Sequence, residues 1–384
     1  MRASPVQPPL FDGPAELGEH SEFLTQQLLT YLGNKRSLLN AIEEATRMVR
    51  SEIGGRKMSV FDGFSGSGVV SRMLKQYASR VTTCDIERYA EVVSRCYLAN
   101  ASDVPLDRLR STIAEFNDLV DAETKPPSPG FIQRLYSPQD DASIQPGERV
   151  FYTADNGRRL DHYRQLIETA DPDLRMLLLG PLLSAASVHA NTGGVFKGFY
   201  KNKETGCGHF GGSGQDALLR IKGAIRLKEP VLSAHDCESV VMTGDINDKV
   251  RELDDVDLAY FDPPYNQHPY GSNYFMLNLL ADYIEPTEIS RVSGIPKDWN
   301  RSAYNVKKQS ADRMRDLITA TPAEFLLVSF SDDGFISPEE MRQMLETEGK
   351  LRELQIRYNA YRAARNLSGR DKHVIEHLYL VRRH

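Results

Sequence analysis

Cysteine is scarce in this chain, with four among 384 residues. Cys84, Cys96, Cys207 and Cys237 include no Cys-x-x-Cys pair. Neither a disulfide framework nor a zinc ribbon is expected, and scattered thiols suit a reducing cytosol. Cys207 and His209 are a two-ligand fragment without a partner pair, too little for a zinc site, so no metal is expected. Long hydrophobic runs are missing as well. The nearest, Met176 to Leu183, is interrupted by Gly180 and Pro181. It falls far short of the ~20 residues of a membrane helix, and no membrane association is expected. Met1 to Gly18 is proline-rich without an apolar segment, so it reads not as a secretion signal but as part of a mobile tail, 1–22. A strong charge excess is absent too. The net charge of −6 taken alone argues mildly against a polyanionic partner.

What is present is the alternation of an α/β protein. A chain of 384 residues is too long for one small core and predicts a large domain with an added part. Ser37 to about Arg50 carries apolar residues near helical spacing. Ser59 to Phe61 reads as a buried strand, Val69 to Tyr77 as a helix, Arg80 to Asp85 as a second strand and Glu87 to Asn100 as another helix. That order begins a parallel sheet. From Ala101 to about Gly147 periodicity fades among Pro, Asp and Ser. Helices are expected again near Asn156 to Thr169 and Asp173 to His189. Gly193 to Gly214 is dense in glycine, aromatics and lysine. Strands return at Ser239 to Met242, Asp257 to Phe261 and Phe325 to Phe330, with a closing pair at Leu354 to Tyr358 and Val374 to Val381. The expected division is a main domain, 23–110 and 231–384, interrupted by an insertion at 111–230.

Two segments point to chemistry. The first is Phe61-Asp62-Gly63-Phe64-Ser65-Gly66-Ser67-Gly68, between a strand and a helix. Its glycines permit a tight turn and a close approach of a ligand to the main chain. The spacing is G-x-x-G-x-G rather than the dinucleotide pattern. Asp85 closes the next strand, where a carboxylate can accept hydrogen bonds from ribose hydroxyls. A glycine-rich turn with a surface aspartate is the plainer alternative. The second segment is Asp262-Pro263-Pro264-Tyr265, at the end of a strand. The prolines fix φ and remove two N–H donors, leaving a main-chain carbonyl free to face a substrate. Asp262 adds a second acceptor and Tyr265 a flat stacking surface. An exocyclic amino group has two hydrogens to donate, and two such acceptors draw its lone pair out of conjugation toward a methyl donor. Such chemistry needs positioning and electrostatics rather than a covalent intermediate. Ser329 and Ser331 follow a strand, but no G-x-S-x-G surrounds them. His209 and His268, beside aromatics, read as structural.

Three segments in this order carry a resemblance. Tyr31-Leu32-Gly33-Asn34-Lys35-Arg36 resembles the amino-terminal cofactor motif of the D12 class of DNA adenine N6-methyltransferases, the Dam-like group. Phe61 to Gly68 resembles its glycine motif, and Asp262 to Tyr265 its methylation motif. Asn266 to Tyr270 and Asn273 to Phe275 are similar to one branch of the class. The similarity is good over 23–100 and 231–384 and weaker between. It implies a Rossmann-like fold dependent on S-adenosyl-L-methionine, with an inserted, mainly helical and loop-rich target-recognition region. It implies that Tyr31, Lys35, Asp62, Gly63, Gly66, Gly68 and Asp85 bind the cofactor. Asp245 is implied beside the cofactor adenine, and Asp262 beside both methionine moiety and target amine. It further implies that Pro263 contributes its carbonyl, within the catalytic set Asp262, Pro263, Pro264 and Tyr265, and that Tyr265 stacks on a flipped base.

Double-stranded DNA is then the expected partner. Phosphate contacts are expected from two basic segments of an otherwise acidic chain. Val195 to Glu229 holds Lys197, Lys201, Lys203, Arg220, Lys222, Arg226 and Lys228, interleaved with Phe196, Phe199, Tyr200 and Phe210. Among these Lys197, Tyr200, Lys201, Lys203 and Arg220 are the candidate DNA contacts. Arg291 to Arg315 is the second basic segment. Two solvated faces are the alternative reading. The expected enzyme is a monomer in a bacterial or phage-infected cytoplasm, at the nucleoid, with a cognate restriction endonuclease as a further partner. Competing readings are a cytosine N4 or RNA adenine methyltransferase, and a DNA-binding subunit without catalysis.

Overall fold

The computed structural model describes residues 18–122, 130–202, 204–211, 216–359 and 373–384. Seven strands form one sheet: β1 (Met58–Asp62), β2 (Ala78–Asp85), β3 (Glu238–Thr243), β4 (Val256–Phe261), β5 (Ala323–Ser331), β6 (Gly349–Asn359) and β7 (His373–Arg383). Their order is β3-β2-β1-β4-β5-β7-β6. The first five are parallel to one another, and β7 runs antiparallel to both β5 and β6. Every residue of β4 is buried, as expected of a central parallel strand covered on both faces.

The helices are α1 (Ser21–Thr25), α2 (Leu39–Glu52), α3 (Val69–Lys75), α4 (Arg88–Tyr97), α5 (Leu106–Asp121), α6 (Phe131–Tyr136), α7 (Ala154–Thr169), α8 (Pro172–His189), α9 (Asp216–Lys222), α10 (Ile246–Lys249), α11 (Tyr270–Asn273), α12 (Phe275–Asp282), α13 (Lys307–Ala320) and α14 (Pro338–Glu346). The two-residue period of a strand divides them between the faces of the sheet. Val60, Leu258, Tyr260 and Leu327 pack with Leu39, Ile42 and Val49 of α2 and Val70, Met73 and Leu74 of α3. Phe61, Ala259, Phe261 and Leu326 point the other way, onto Met314 and Leu317 of α13 and Met341 and Leu345 of α14.

A third core joins α4 to α5, α6, α7 and α8. Gly180 and Pro181 do not break α8; both are buried inside it. A Cβ on Gly180 would lie 2.5 Å from Cys96 Sγ, so the missing side chain is what lets α8 approach α4. Phe275, Met276, Leu279 and Leu280 of α12 belong to the same core, although they follow the Asp-Pro-Pro-Tyr loop in sequence. The segment 101–147, which shows little periodicity, contains α5 and α6. Leu109, Ile113, Phe116 and Val120 of α5 face this core, at the three- and four-residue spacing of one helix face. Of the expected tail, residues 1–17 lie outside the described residues. Beyond them the chain is anchored: Glu19 accepts hydrogen bonds from Ser233 Oγ and the Ala234 amide, and α1 begins at Ser21.

Candidate active site

One cleft opens at the carboxyl ends of the parallel strands, where β1 lies between β2 and β4. The chain leaves those strands toward opposite sides there, which is where open α/β sheets bind ligands. The cleft and the solvent at its mouth together span about 890 Å³. Of the sequence-derived candidates, Tyr31, Lys35, Asp62, Gly63, Gly66, Asp85, Asp245, Asp262 and Pro264 line it.

The glycine loop forms its floor. Gly66 has φ +47°, and a Cβ there would lie 2.9 Å from the Tyr31 hydroxyl oxygen. Its amide donates to Asp85 Oδ2 at 2.8 Å, and the Glu87 amide donates to Asp85 Oδ1 at 2.9 Å. Gly68 also has positive φ and sits at the amino end of α3. Asp62 Oδ2 accepts from Ser71 Oγ. Asp62 Oδ1 is buried with no hydrogen-bond partner among the described residues.

Tyr31 reaches the cleft through a stack of tyrosines. Its ring lies 4.8 Å from Tyr274 and 5.1 Å from Tyr270, both nearly parallel to it. The Tyr274 hydroxyl accepts from the Leu32 amide and the Tyr270 hydroxyl donates to the Leu32 carbonyl. These contacts clamp the amino-terminal motif to the segment after the Asp-Pro-Pro-Tyr loop. Asn34 caps the next turn by accepting from the Arg36 amide, and that turn delivers Lys35 inward. Lys35 Nζ stands 2.8 Å from Asp262 Oδ1 and 3.0 Å from Glu376 Oε1.

Four carboxyls around the cleft are shifted upward by burial. Asp62 and Glu87 are pushed up to about 7, Asp85 and Asp262 to about 6. At Asp262 the Lys35 ammonium opposes burial, while Glu376 adds to it. The Tyr265 ring is half-buried against Phe330 at 6.3 Å, and its carbonyl accepts from the Phe335 amide. Ser329, the serine without a nucleophile motif, donates to Glu376 Oε1 at 2.6 Å.

Several lining residues escaped the sequence reading. Glu87 follows Asp85 by two positions and accepts from Asn278 and Asn300. A second acid past the strand end was the available signal. Asn300, Ser302, Tyr304 and Asn305 also line the cleft, although they lie within the basic segment read for DNA. Asn305 donates to the Asn266 carbonyl at 2.7 Å, so this segment ties the cleft mouth to the residue that follows the Asp-Pro-Pro-Tyr loop. Three of its cations have acidic partners: Lys297 pairs with Glu288, Arg313 with Asp245 and Arg315 with Asp312. In the other basic segment Lys197 and Lys201 are exposed, and Lys201 Nζ lies 4.8 Å above the Phe199 ring. Tyr200 is half-exposed, tilted against His209. Arg220 instead donates to the carbonyls of Val188 and Ala190, fastening α9 to the end of α8. Lys203 lies outside the described residues.

A sheet of this order, with a glycine loop after β1, an acid closing β2 and Asp-Pro-Pro-Tyr after β4, defines a Rossmann-like methyltransferase of the S-adenosylmethionine-dependent kind. The model of the D12 class N6 adenine-specific DNA methyltransferase family matches residues 31–344, and the chain belongs to that family. It is similar to the type II methyltransferase M.NlaIII of Neisseria lactamica, at 27% identity over 92% of this chain and 99% of that protein. It is similar to the type II methyltransferase M.CviAII of Paramecium bursaria Chlorella virus 1, at 28% identity over 91% and 97%. The modification methylase StsI of Streptococcus sanguinis is 25% identical over 92% of this chain and 52% of its own length.

Proposed function

We propose that this enzyme transfers a methyl group from S-adenosyl-L-methionine to N6 of an adenine flipped out of double-stranded DNA, within a restriction–modification or epigenetic-marking system. The observation that carries the reading is the Asp262 carboxylate, fixed by Lys35 in the same cleft as the glycine loop. The setting rests on the relatives, named as type II methyltransferases and a modification methylase.

The residues present fit the cofactor. Gly66 leaves open a space that a Cβ would fill, and the buried Asp62 Oδ1 lacks a donor among the described residues. The lining holds Asp62, Asp85, Glu87, Asp245 and Asp262, an acidic surround suited to a ligand bearing ammonium and sulfonium charges. Asp85 and the glycine loop would hold its ribose and main-chain-facing side, Tyr31 and Lys35 its amino-acid end, and Asp245 its adenine. When bound, the cofactor supplies an electrophilic methyl group.

The chain's own groups then prepare the acceptor. Asp262 takes one hydrogen bond from the N6 amino group and the Pro263 carbonyl takes the other. Both turn the nitrogen lone pair out of conjugation, and the Asp262 charge stabilises the cation developing on nitrogen. Pro263 and Pro264 keep the loop rigid. Tyr265 would stack on the extruded base and offset part of the lost stacking. Lys197 and Lys201, with Tyr200, stand on a surface suited to phosphate.

Incubation of the purified protein with DNA and labelled cofactor, followed by mass analysis of the nucleosides, tests the reading. N6-methyladenine is expected. N4-methylcytosine, or methylation of RNA alone, would replace the assignment.

A further inference from the structure

Glu376 lies on β7, beyond residue 344 where the family match ends, and none of the motifs includes it. It is 1% exposed, and an ionised carboxylate at that depth is strongly unfavourable unless paired. Its placement follows from strand periodicity. Tyr260, Leu327 and Leu378 share one face of the sheet, so Ser329 and Glu376, two positions along β5 and β7, share it too, and Asp262, just past the end of β4, lies beside them. Lys35 enters above that face and is held between the two acids, 2.8 Å from Asp262 Oδ1 and 3.0 Å from Glu376 Oε1. Ser329 Oγ fixes Glu376 from below at 2.6 Å. A lysine facing Asp262 alone would be enough to neutralise it. The second carboxylate leaves the trio with a net charge of −1.

We propose that Glu376 is a positioning residue for methyl transfer: by taking one side of the Lys35 ammonium, it keeps that cation from being satisfied by Asp262 alone. Asp262 therefore retains acceptor strength for the adenine amino group. The inference rests on the function proposed above. In the transfer the nitrogen lone pair forms the N–CH3 bond, the electron pair of the S–CH3 bond returns to sulfur, and the surplus proton leaves nitrogen for solvent. Positive charge therefore passes onto the nitrogen that Asp262 holds, and an undivided negative charge there is most effective. The groups facing Asp262 are Lys35 from the turn before α2, Glu376 from β7, Tyr260 from β4, Asp62 from the end of β1, and Tyr265 and Tyr270 from the segment after the loop. Lys35 is the cation among them, and Glu376 is the carboxylate that shares it.

The test uses the full-length enzyme with Glu376→Gln and Glu376→Asp. Glutamine retains an acceptor for Ser329 and leaves Lys35 paired with Asp262, so the fold survives. In Glu376→Gln the expected kcat falls about tenfold or more, equivalent to one pKa unit of lost stabilisation. Cofactor affinity by calorimetry and the KM for DNA stay within about twofold, because the change acts on the acceptor amine. The acidic limb of the kcat profile moves to lower pH, since the charge that raises the Asp262 pKa is gone. Glu376→Asp keeps that charge, recovers part of the rate and leaves the limb in place. A Glu376→Gln enzyme with wild-type kcat overturns the inference. Equal losses in both variants with an unmoved limb overturn it as well, as the signature of a structural role. So does a Glu376→Gln protein that fails to fold while Glu376→Asp is fully active. A wild-type protein that methylates no adenine defeats the underlying reading instead, and is recognised before either variant is measured.

Discussion

Lys35 Nζ and Asp262 Oδ1 are 2.8 Å apart, although 227 positions separate the two residues in the chain. The contact joins the amino-terminal motif to the Asp-Pro-Pro-Tyr loop and opposes the burial that raises the Asp262 pKa.

Replacing Asp262 by alanine should leave a folded protein, because Lys35 keeps its contact with Glu376. The rate should fall by at least about a hundredfold, the scale on which one preorganised transition-state contact acts. Methyl transfer and thermal melting measured on the same sample check both halves.

Lys35→Met removes the cation and leaves Asp262 and Glu376 as buried acids without it. A loss of about 3 kcal/mol in stability is expected for one broken buried pair. The Asp262 pKa rises once its stabilising cation is gone, so the acidic limb of activity moves to higher pH. That direction is opposite to the shift expected for Glu376→Gln. Denaturant titration and a pH–rate profile measure the two effects.

In the wild-type enzyme Asp262 must be ionised to accept from the amino group, and its pKa is raised to about 6. A profile of kcat/KM for DNA should therefore climb through pH ~6 and level off above it. Activity at pH 5 equal to that at pH 8 would contradict the role given to Asp262.

Gly66→Ala places a Cβ at φ +47° and 2.9 Å from the Tyr31 hydroxyl. A left-handed alanine is disfavoured by about 1–2 kcal/mol, and the new methyl displaces the tyrosine. Calorimetry should show cofactor affinity reduced by about tenfold or more, while circular dichroism still reports a folded sheet.

Lys197 and Lys201 are exposed and, as proposed phosphate contacts, should weaken DNA binding when both are changed to alanine. The slope of log K against log salt should fall by about two units, with no change in the methylated sequence. Binding isotherms at several salt concentrations provide the measurement.

Much of this arrangement was legible in the sequence. The strands that end in Asp62 and Asp85 and the one that runs into Asp262 stand where apolar periodicity and glycine placed them, since local pattern and backbone preference act over a few residues. The helix α5 was legible but missed: Leu109, Ile113, Phe116 and Val120 stand at helical spacing after Pro105, inside a segment whose Pro, Asp and Ser content hides the period. The place of α12 was not legible, since it follows the Asp-Pro-Pro-Tyr loop yet belongs to the helical core around α8. In the basic segment at 291–315 the fold adds one long-range pairing that charge counting does not register, Arg313 with Asp245.

The sequence by itself determined the parallel sheet, the glycine loop and the Asp-Pro-Pro-Tyr loop, because each is written in contiguous residues whose conformational limits are local. Only the tertiary structure decided which charges meet. Lys35, Asp262, Ser329 and Glu376 come from four separate segments. Their interaction exists because β5 and β7 place Ser329 and Glu376 on one face, the end of β4 brings Asp262 beside them and the turn before α2 lays Lys35 over them, where low solvent exposure makes every unpaired charge unfavourable.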